Sequence, residues 1–294
     1  MGEPRIAVVC DTTPYLPADL VAANEITEVS LYVSLEGHQE RESEITDYGD
    51  FYDRLRSSQE GVTTSQPSVG DFISVYEPLL DAGREIVSLH LSANISGTCE
   101  AAMQARERLA SDGKGGERIR VVDGRSAAGG LGMVALAGAR AAAVGADADA
   151  VVRHMHEARE ALRIWFAVDT LEYLRRGGRI GAARALLGST LKVKPILTFE
   201  EEVAPVERVR TRRRAFERLV EYARERHADG ADGWVVQHIQ DPDAARHMVE
   251  ECRQIFECEP LFVSEIGPVL GAHAGPGLLG VGAIPKRFTD EGPN

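Results

Sequence analysis

"RIAVVCDTTPYLPADLVAAN", residues 5–24, reads as a buried strand ending at Asp11 followed by a helix with Pro17 suited to its first position. An apolar run that hands over to a helical pattern across a polar turn is one βα unit, and the same handover recurs down the chain. Strands are expected at "EVSLYVSLE" (28–36), "REIVSLHLS" (84–92) and "RIRVVD" (118–123). Helices are expected at 46–58, capped by Thr46 or Asp47, and at 68–83, capped by Ser68 and ended at Gly83. Further helices are expected from about Thr98, at 132–145 and at 147–162. In the second half the strand patterns "RIWFAVD", "LKVKPILTFE", "VAPVERVR", "GWVVQHIQ" and "PLFVSEIG" outnumber the helices at 213–227 and 242–256, so that sheet is expected to be mixed. The fold class is therefore α/β in two domains: residues 1–160 around a three-layer parallel sheet, and residues 161–294 around a mixed sheet with helices.

Composition narrows the function. A chain of 294 residues has room for two cores, and 44% hydrophobic content is that of an ordinary globular protein. The formal net charge of −13 argues against nucleic acid as a partner, because the phosphate backbone rewards an excess of Lys and Arg. The start, "MGEPRIAVVCDTT", lacks a signal-peptide pattern and no segment has the apolar length of a membrane span, which points to the cytoplasm. Cys10, Cys99, Cys252 and Cys258 show no metal-type spacing and read as reduced, mostly packed thiols.

In an open α/β sheet, ligands collect beyond the carboxyl ends of the strands. Three such ends are rich in small polar residues: "CDTT" (10–13), "LSANISGT" (91–98) and "VDGRS" (122–126), and the loop "VTTSQPS" (62–68) adds hydroxyls. Ser96, Gly97 and Thr98 open a helix, so their amides are expected to face an anion. Each hydroxyl alone reads as a cap or turn residue, and their clustering is what points to a ligand. No P-loop, dinucleotide fingerprint, nucleophile elbow or zincin motif is present. Asp11 and Asp123 are expected to cap the turns after their strands, His90 to be a satisfied sheet residue, and His154 and His156 to be solvated.

Two stretches concentrate arginine. "DTLEYLRRGGRIGAARALLG" (169–188) sets Arg175, Arg176 and Arg179 around a Gly-Gly pair, and "VERVRTRRRAFERL" adds Arg208, Arg210, Arg212, Arg213 and Arg214. They read either as solvated residues or as a docking surface for a phosphorylated or acidic partner. The stretch "IGPVLGAHAGPGLLGVGAI" (266–284) places His273 among glycines, which reads as a loop that brings an imidazole close either to a ligand or to its own turn.

Together, "IAVVCDTTPYLP", "VTTSQPSVGDF", "LSANISGTCEAA", "DTLEYLRRGGRIG", "LKVKPIL" and "GPVLGAHAGPGLLGV" resemble the DegV family, whose members include the fatty-acid-binding subunits of bacterial fatty acid kinase. The stretches come in family order and span almost the whole chain. The resemblance implies two α/β domains around a long apolar tunnel, with an acyl carboxylate held at its mouth by Thr64 with Ser65, Ser96 and His273. It implies secondary or backbone contacts at Gly97, Gly275, Gly277 and Arg210, and docking of a partner at Arg175, Arg176 and Arg179. The expected partners are a long-chain fatty acid and an ATP-dependent fatty acid kinase catalytic subunit, with transient membrane contact during lipid exchange. No metal and no cofactor besides the fatty acid are expected, and the chain is expected to be a non-catalytic, substrate-presenting subunit. Ile95 and Cys99 replace a common leucine and aromatic of the family, and the first strand ends in Asp-Thr where Asp-Ser is frequent. Two alternatives stay open: a hydrolase or phosphotransferase using Ser96 or Thr64 with His273 as base, and a lipid sensor without a kinase.

Overall fold

A computed structural model describes residues 6–57, 61–187 and 193–293. Arg5 and Ser58, at the margins of expected elements, and Leu191 and Lys192, at the start of the strand expected at 191–200, lie outside the described residues. The first half runs β1 (Ile6–Asp11), α1 (Ala18–Ala23), β2 (Thr27–Val29), β3 (Tyr32–Leu35), β4 (His38–Arg41), α2 (Tyr48–Ser57), β5 (Thr63–Ser65) and α3 (Val69–Asp81). It continues through β6 (Glu85–His90), α4 (Thr98–Ser111), β7 (Ile119–Asp123), α5 (Ala128–Ala143) and α6 (Ala148–Ala161). The second half runs β8 (Arg163–Ala167), α7 (Glu172–Arg176), β9 (Lys194–Phe199), β10 (Val203–Val209), α8 (Arg212–Ala228), β11 (Gly233–His238) and α9 (Pro242–Phe256). It ends with β12 (Phe262–Glu265), α10 (Pro268–Ala274), β13 (Leu279–Ile284) and α11 (Arg287–Asp290).

The first sheet is parallel, in the order β2-β1-β6-β7. Side chains alternate across it. Ala7, Val9, Ile86 and Ile119 pack with Phe72 and Tyr76 of α3 and Leu109 of α4, whereas Val8, Cys10, Val87 and Leu89 pack with residues of α5 and α6. Those are the three layers expected of this half. Ser68 caps α3 as anticipated, its hydroxyl accepting from the Asp71 amide while the Asp71 carboxylate accepts from the Ser68 amide. The second sheet is mixed, in the order β10-β9-β8-β13-β11-β12, with only β11 and β12 parallel. Among the described residues no helix is long and apolar enough to cross a membrane.

Four local expectations need correcting. The stretch 28–36 is not one strand: β2 joins the parallel sheet, and β3 joins a separate antiparallel sheet in the order β4-β3-β5. The chain turns between them because the Ser30 hydroxyl is committed to the Ser43 amide and the Leu31 carbonyl to the Glu42 amide. The loop expected at 62–68 contains β5, paired with β3. The Gly-rich stretch 266–284 is not a loop, since it forms α10 and then β13, which lies between β8 and β11 in the middle of the mixed sheet. His154 is also not solvated. It is buried against α11, where its Nε2 meets the Phe288 carbonyl at 2.9 Å, while His156 is exposed. The four cysteines are free thiols, and Cys10, Cys99 and Cys252 are buried.

Candidate functional site

A cavity of about 300 Å³ lies between the two sheets, at the lower end of the roughly 300–1,000 Å³ range of small-molecule sites. Most of its wall is hydrocarbon. Leu31 and Leu91 contribute from the first half, Phe166 and Phe199 from the second, and α10 with its flanks lends Val269, Leu270 and Leu278. Polar groups gather in one place. Thr64, Ser65, Gln66, Ser96, Gly97, Arg179 and His273 all line this cavity, so the four residues expected to hold a carboxylate come together from three separate segments.

β5 is what aims Thr64. Its pairing with Val33 of β3 turns the Thr64 side chain inward, half-buried, while Thr63 and Ser65 on either side are exposed. The Thr64 Oγ1 then lies 2.8 Å from Nε2 of His273. The other ring nitrogen, Nδ1, is buried with no hydrogen-bond partner among the described residues. Leaving an N–H unpaired there would cost about 1–3 kcal/mol, so the proton belongs on Nε2, where it donates to Thr64. The threonine hydroxyl proton is thereby left to donate into the cavity. Burial, and secondarily the positive charge of Arg179, push the His273 pKa from 6.5 down to about 4. At neutral pH this imidazole is a hydrogen-bonding group rather than a charge.

His273 sits at the end of a helix rather than on a loop, and α10 is pinned to the first half of the chain. The buried Glu42 carboxylate accepts from the Val269 amide (2.7 Å), the Tyr15 hydroxyl (2.8 Å) and the Thr12 hydroxyl (2.6 Å). The Tyr15 oxygen also accepts from the Leu270 amide, and the Tyr52 hydroxyl donates to the Ile266 carbonyl at 2.6 Å. Burial pushes the Glu42 pKa up to about 6, against the pull of those three donors. On the other side, the ring of His273 rests on Gly177. A Cβ at that position would come 2.1 Å from Nδ1, so the first glycine of "RRGGR" is required by contact, and the second, Gly178, by its φ of +72°.

Arg179 ties the two halves together at the same place, donating to the Ile95 carbonyl (3.2 Å) and the Gly177 carbonyl (2.8 Å). Arg175 and Arg176 do not reach the cavity. Both are exposed and share the Glu172 carboxylate at 2.7–2.9 Å, so the expected bare cationic loop is partly neutralised and Arg179 stands apart from it.

Several expected contacts are otherwise engaged. The amides of Gly275 and Gly277 donate to the carbonyls of Gly271 and Ile239, both at 2.8 Å, and neither residue lines this cavity; Gly277 borders a separate one with Asp169 and Arg212. Arg210 is exposed beyond the end of β10 and also does not line it. The Ser96 and Thr98 amides are taken by the Ser92 carbonyl and the Ser96 hydroxyl, so of the three amides expected to open α4 toward an anion, two already have partners. Asp11 and Asp123 cap the turns after their strands, binding the amides of Thr13 and Leu91 and of Ala93 and Arg125 respectively. His90 is fully buried in a chain running from Asp11 through Ser88 to Tyr76.

Two lining residues escaped the sequence reading. Gln66 lies over Gly97, where a Cβ would meet its amide at 2.3 Å, yet it stood inside the hydroxyl-rich run already singled out. Gln237 is the one side-chain amide within β11, "GWVVQH". Its Nε2 donates to the Pro14 carbonyl and Ser264, and its Oε1 accepts from the Gly129 amide, which joins the two halves through a buried polar contact.

Comparison with known proteins gives a consistent picture. The family model for the uncharacterised proteins of the DegV family matches residues 5–286. A DegV domain-containing protein of Streptomyces coelicolor is 40% identical over 280 residues, covering 94% of this chain and 97% of the relative. Protein DegV of Bacillus subtilis is 33% identical over 285 residues, covering 94% and 98%. Among solved structures, a fatty-acid-binding DegV family protein from Thermus thermophilus superposes with a TM-score of 0.85 at 34% identity, covering 96% of this chain and 99% of that one. DegV of Bacillus subtilis, a fatty acid binding protein, superposes with the same TM-score at 32% identity, covering 96% and 100%.

Proposed function

This chain belongs to the DegV family, and on that premise we propose that it carries a long-chain fatty acid and presents its carboxylate to a separate ATP-dependent kinase. The acyl chain occupies the cavity between the halves 1–160 and 161–294, and the carboxylate meets the hydroxyls of Thr64 and Ser96, beside Ser65, with His273 orienting Thr64 from behind, in the cytoplasm. One observation carries this reading: a hydrocarbon-walled cavity with hydroxyl and guanidinium donors in its lining and an imidazole that orients one of those hydroxyls. Hydrocarbon burial at roughly 0.8 kcal/mol per methylene favours occupancy, and hydroxyl donors beside a guanidinium favour an anionic head.

In the kinase step a carboxylate oxygen attacks the γ-phosphorus of ATP, the bond to the ADP oxygen breaks, and an acyl phosphate forms. A carboxylate is already ionised at neutral pH, so this step asks no base of the chain. That suits a histidine held near pKa 4, which is too weakly basic to activate a hydroxyl. The hydrolase reading has in its favour the 2.8 Å contact of Thr64 with His273. Among the described residues it lacks the third group that would orient the imidazole, because none of them partners Nδ1. The chain is thus proposed as a non-catalytic subunit that needs no cofactor besides its lipid.

The test is denaturing extraction and mass spectrometry of the purified protein, followed by trapping of acyl phosphate with hydroxylamine when kinase and ATP are added. Near-stoichiometric acyl chain is expected. Recovery of none, from a host that makes such lipids, overturns the carrier reading. Bound lipid that no kinase phosphorylates leaves the sensor reading instead.

A further inference from the structure

The mixed sheet turns one face to the cavity, and its register sets two rows of residues across that face. Phe166, Gly280 and Gln237 form one row, and Ile164, Gly282 and Val235 the next, on β8, β13 and β11 respectively. The central residue of each row is glycine. On the opposite face of β13, Leu279, Val281 and Ala283 are packed in the core under α8 and α9. The strand therefore reverses the usual pattern, keeping its side chains for the core and leaving a bare backbone trough toward the cavity. Flanking strands stand about 10 Å apart across that trough, two interstrand spacings, which is the width of one hydrocarbon chain between side chains.

The two glycines meet different surroundings. A side chain at Gly280 would have as its three nearest atoms Phe166 Cβ at 3.2 Å and the backbone oxygens of Trp165 and Gln237 at 3.6 and 3.9 Å. All belong to the neighbouring strands, and none comes from the layer facing the trough. At Gly282 the nearest atom is Cε of Met133, 2.9 Å away, from the facing helix α5. Met133 is fully buried and lies across the trough at that level. So the cavity runs along the trough past Gly280 as far as Gly282, where Met133, itself outside the lining, stands against the strand.

We propose that the glycine trough of β13 is the bed of the acyl chain and that Met133, closing it at Gly282, sets the longest chain that fits. The inference rests on the carrier reading and adds to it a measure of length. A methionine suits the task, being an unbranched and adaptable side chain that yields to a small excess of length without a cavity when the ligand is shorter.

The experiment equilibrates lipid-stripped protein with an equimolar mixture of saturated fatty acids from lauric to arachidic and identifies what is retained. Gly280→Val, which fills the open part of the trough, is expected to lower the ratio of long to short acids about tenfold, the effect of excluding roughly two methylenes. Met133→Ala is expected to shift the ratio the other way. Gly280→Ala, whose closest contact is the single 3.2 Å approach to Phe166, gives a milder version of the first shift should the valine variant fold poorly. Opposite shifts in the two kinds of variant support the proposal. An unchanged length profile, or an equal loss of all chain lengths, overturns it while the carrier reading stands. A parent protein that retains no acid at all overturns the carrier reading itself.

Discussion

His273 offers the most quantitative check on the site. A histidine whose pKa falls from 6.5 in the unfolded chain to about 4 in the fold is held neutral by the native structure. As pH falls through 6.5 the unfolded chain takes up a proton that the folded chain refuses. Stability is therefore lost between about pH 6.5 and pH 4, and the loss levels off below that. The gap, at about 1.4 kcal/mol per pH unit, corresponds to about 3 kcal/mol. Glu42 and Glu28, raised to about 6 and about 7 chiefly by burial, act in the opposite sense, since the fold gains relative to the unfolded chain as they protonate. Their effect is common to parent and variant, so the measurement is a difference. Lipid-stripped parent and His273→Gln are unfolded in urea at several pH values from about 7.5 down to about 4, and the parent should lose about 3 kcal/mol more than the variant across that window. With fatty acid bound, the nearby carboxylate favours the imidazolium, and the extra loss should shrink. A flat difference, or one that favours the parent as pH falls, would refute the buried neutral imidazole on which the head-group geometry rests.

Further expectations follow from the same contacts. Ser96→Ala should weaken fatty acid binding by about tenfold or more, the 1.5–3 kcal/mol of a hydrogen bond to a charged group, with little change in melting temperature, as read by competition with a fluorescent fatty acid; Thr64→Val should weaken binding likewise and also lower the melting temperature, because it leaves the buried His273 N–H without its acceptor. Glu42→Leu should destabilise the protein by about 3 kcal/mol in urea unfolding, because the Val269 amide and two hydroxyls lose a buried acceptor. Arg176→Glu should leave the bound lipid in place and lower acyl-phosphate formation by the kinase, whereas Arg179→Glu, beside His273, should lower both; extraction and hydroxamate trapping on the same samples separate the two.

Much of this was legible in the sequence, for identifiable reasons. The parallel half announces itself because each of β1, β6 and β7 is an apolar run followed by a helix, and a capping box such as that of Ser68 is local chemistry. Thr64 and Ser96 were legible as hydroxyls in polar clusters and His273 as an imidazole among glycines, and only the family resemblance joined them into one site. What escaped is what depends on distant partners. β13 did not read as a strand because its inward positions are glycines, and the space they leave makes sense only once Phe166, Gln237 and Met133 are placed around it. α10 did not read as a helix because its N-terminal support, Glu42, stands 227 residues away in the chain. The amides of Gly275 and Gly277 looked available to a ligand for the same reason: the carbonyls that occupy them belong to α10 and to the end of β11.

The place of β13 bears on when the cavity is completed during synthesis. It is the last of the described strands to leave the ribosome, yet it pairs with β8 on one side and β11 on the other, so the mixed sheet stays in two pieces until residues 279–284 have emerged. The parallel half, finished by residue 161, can fold well before that. A nascent chain therefore spends the interval with half of its cavity wall, Leu31 and Leu91 among it, uncovered and unable to hold lipid. On the carrier reading, acyl binding is acquired only once residues 279–284 have emerged, and chains stalled before residue 279 should be recognised by chaperones that bind exposed hydrocarbon rather than by fatty acid.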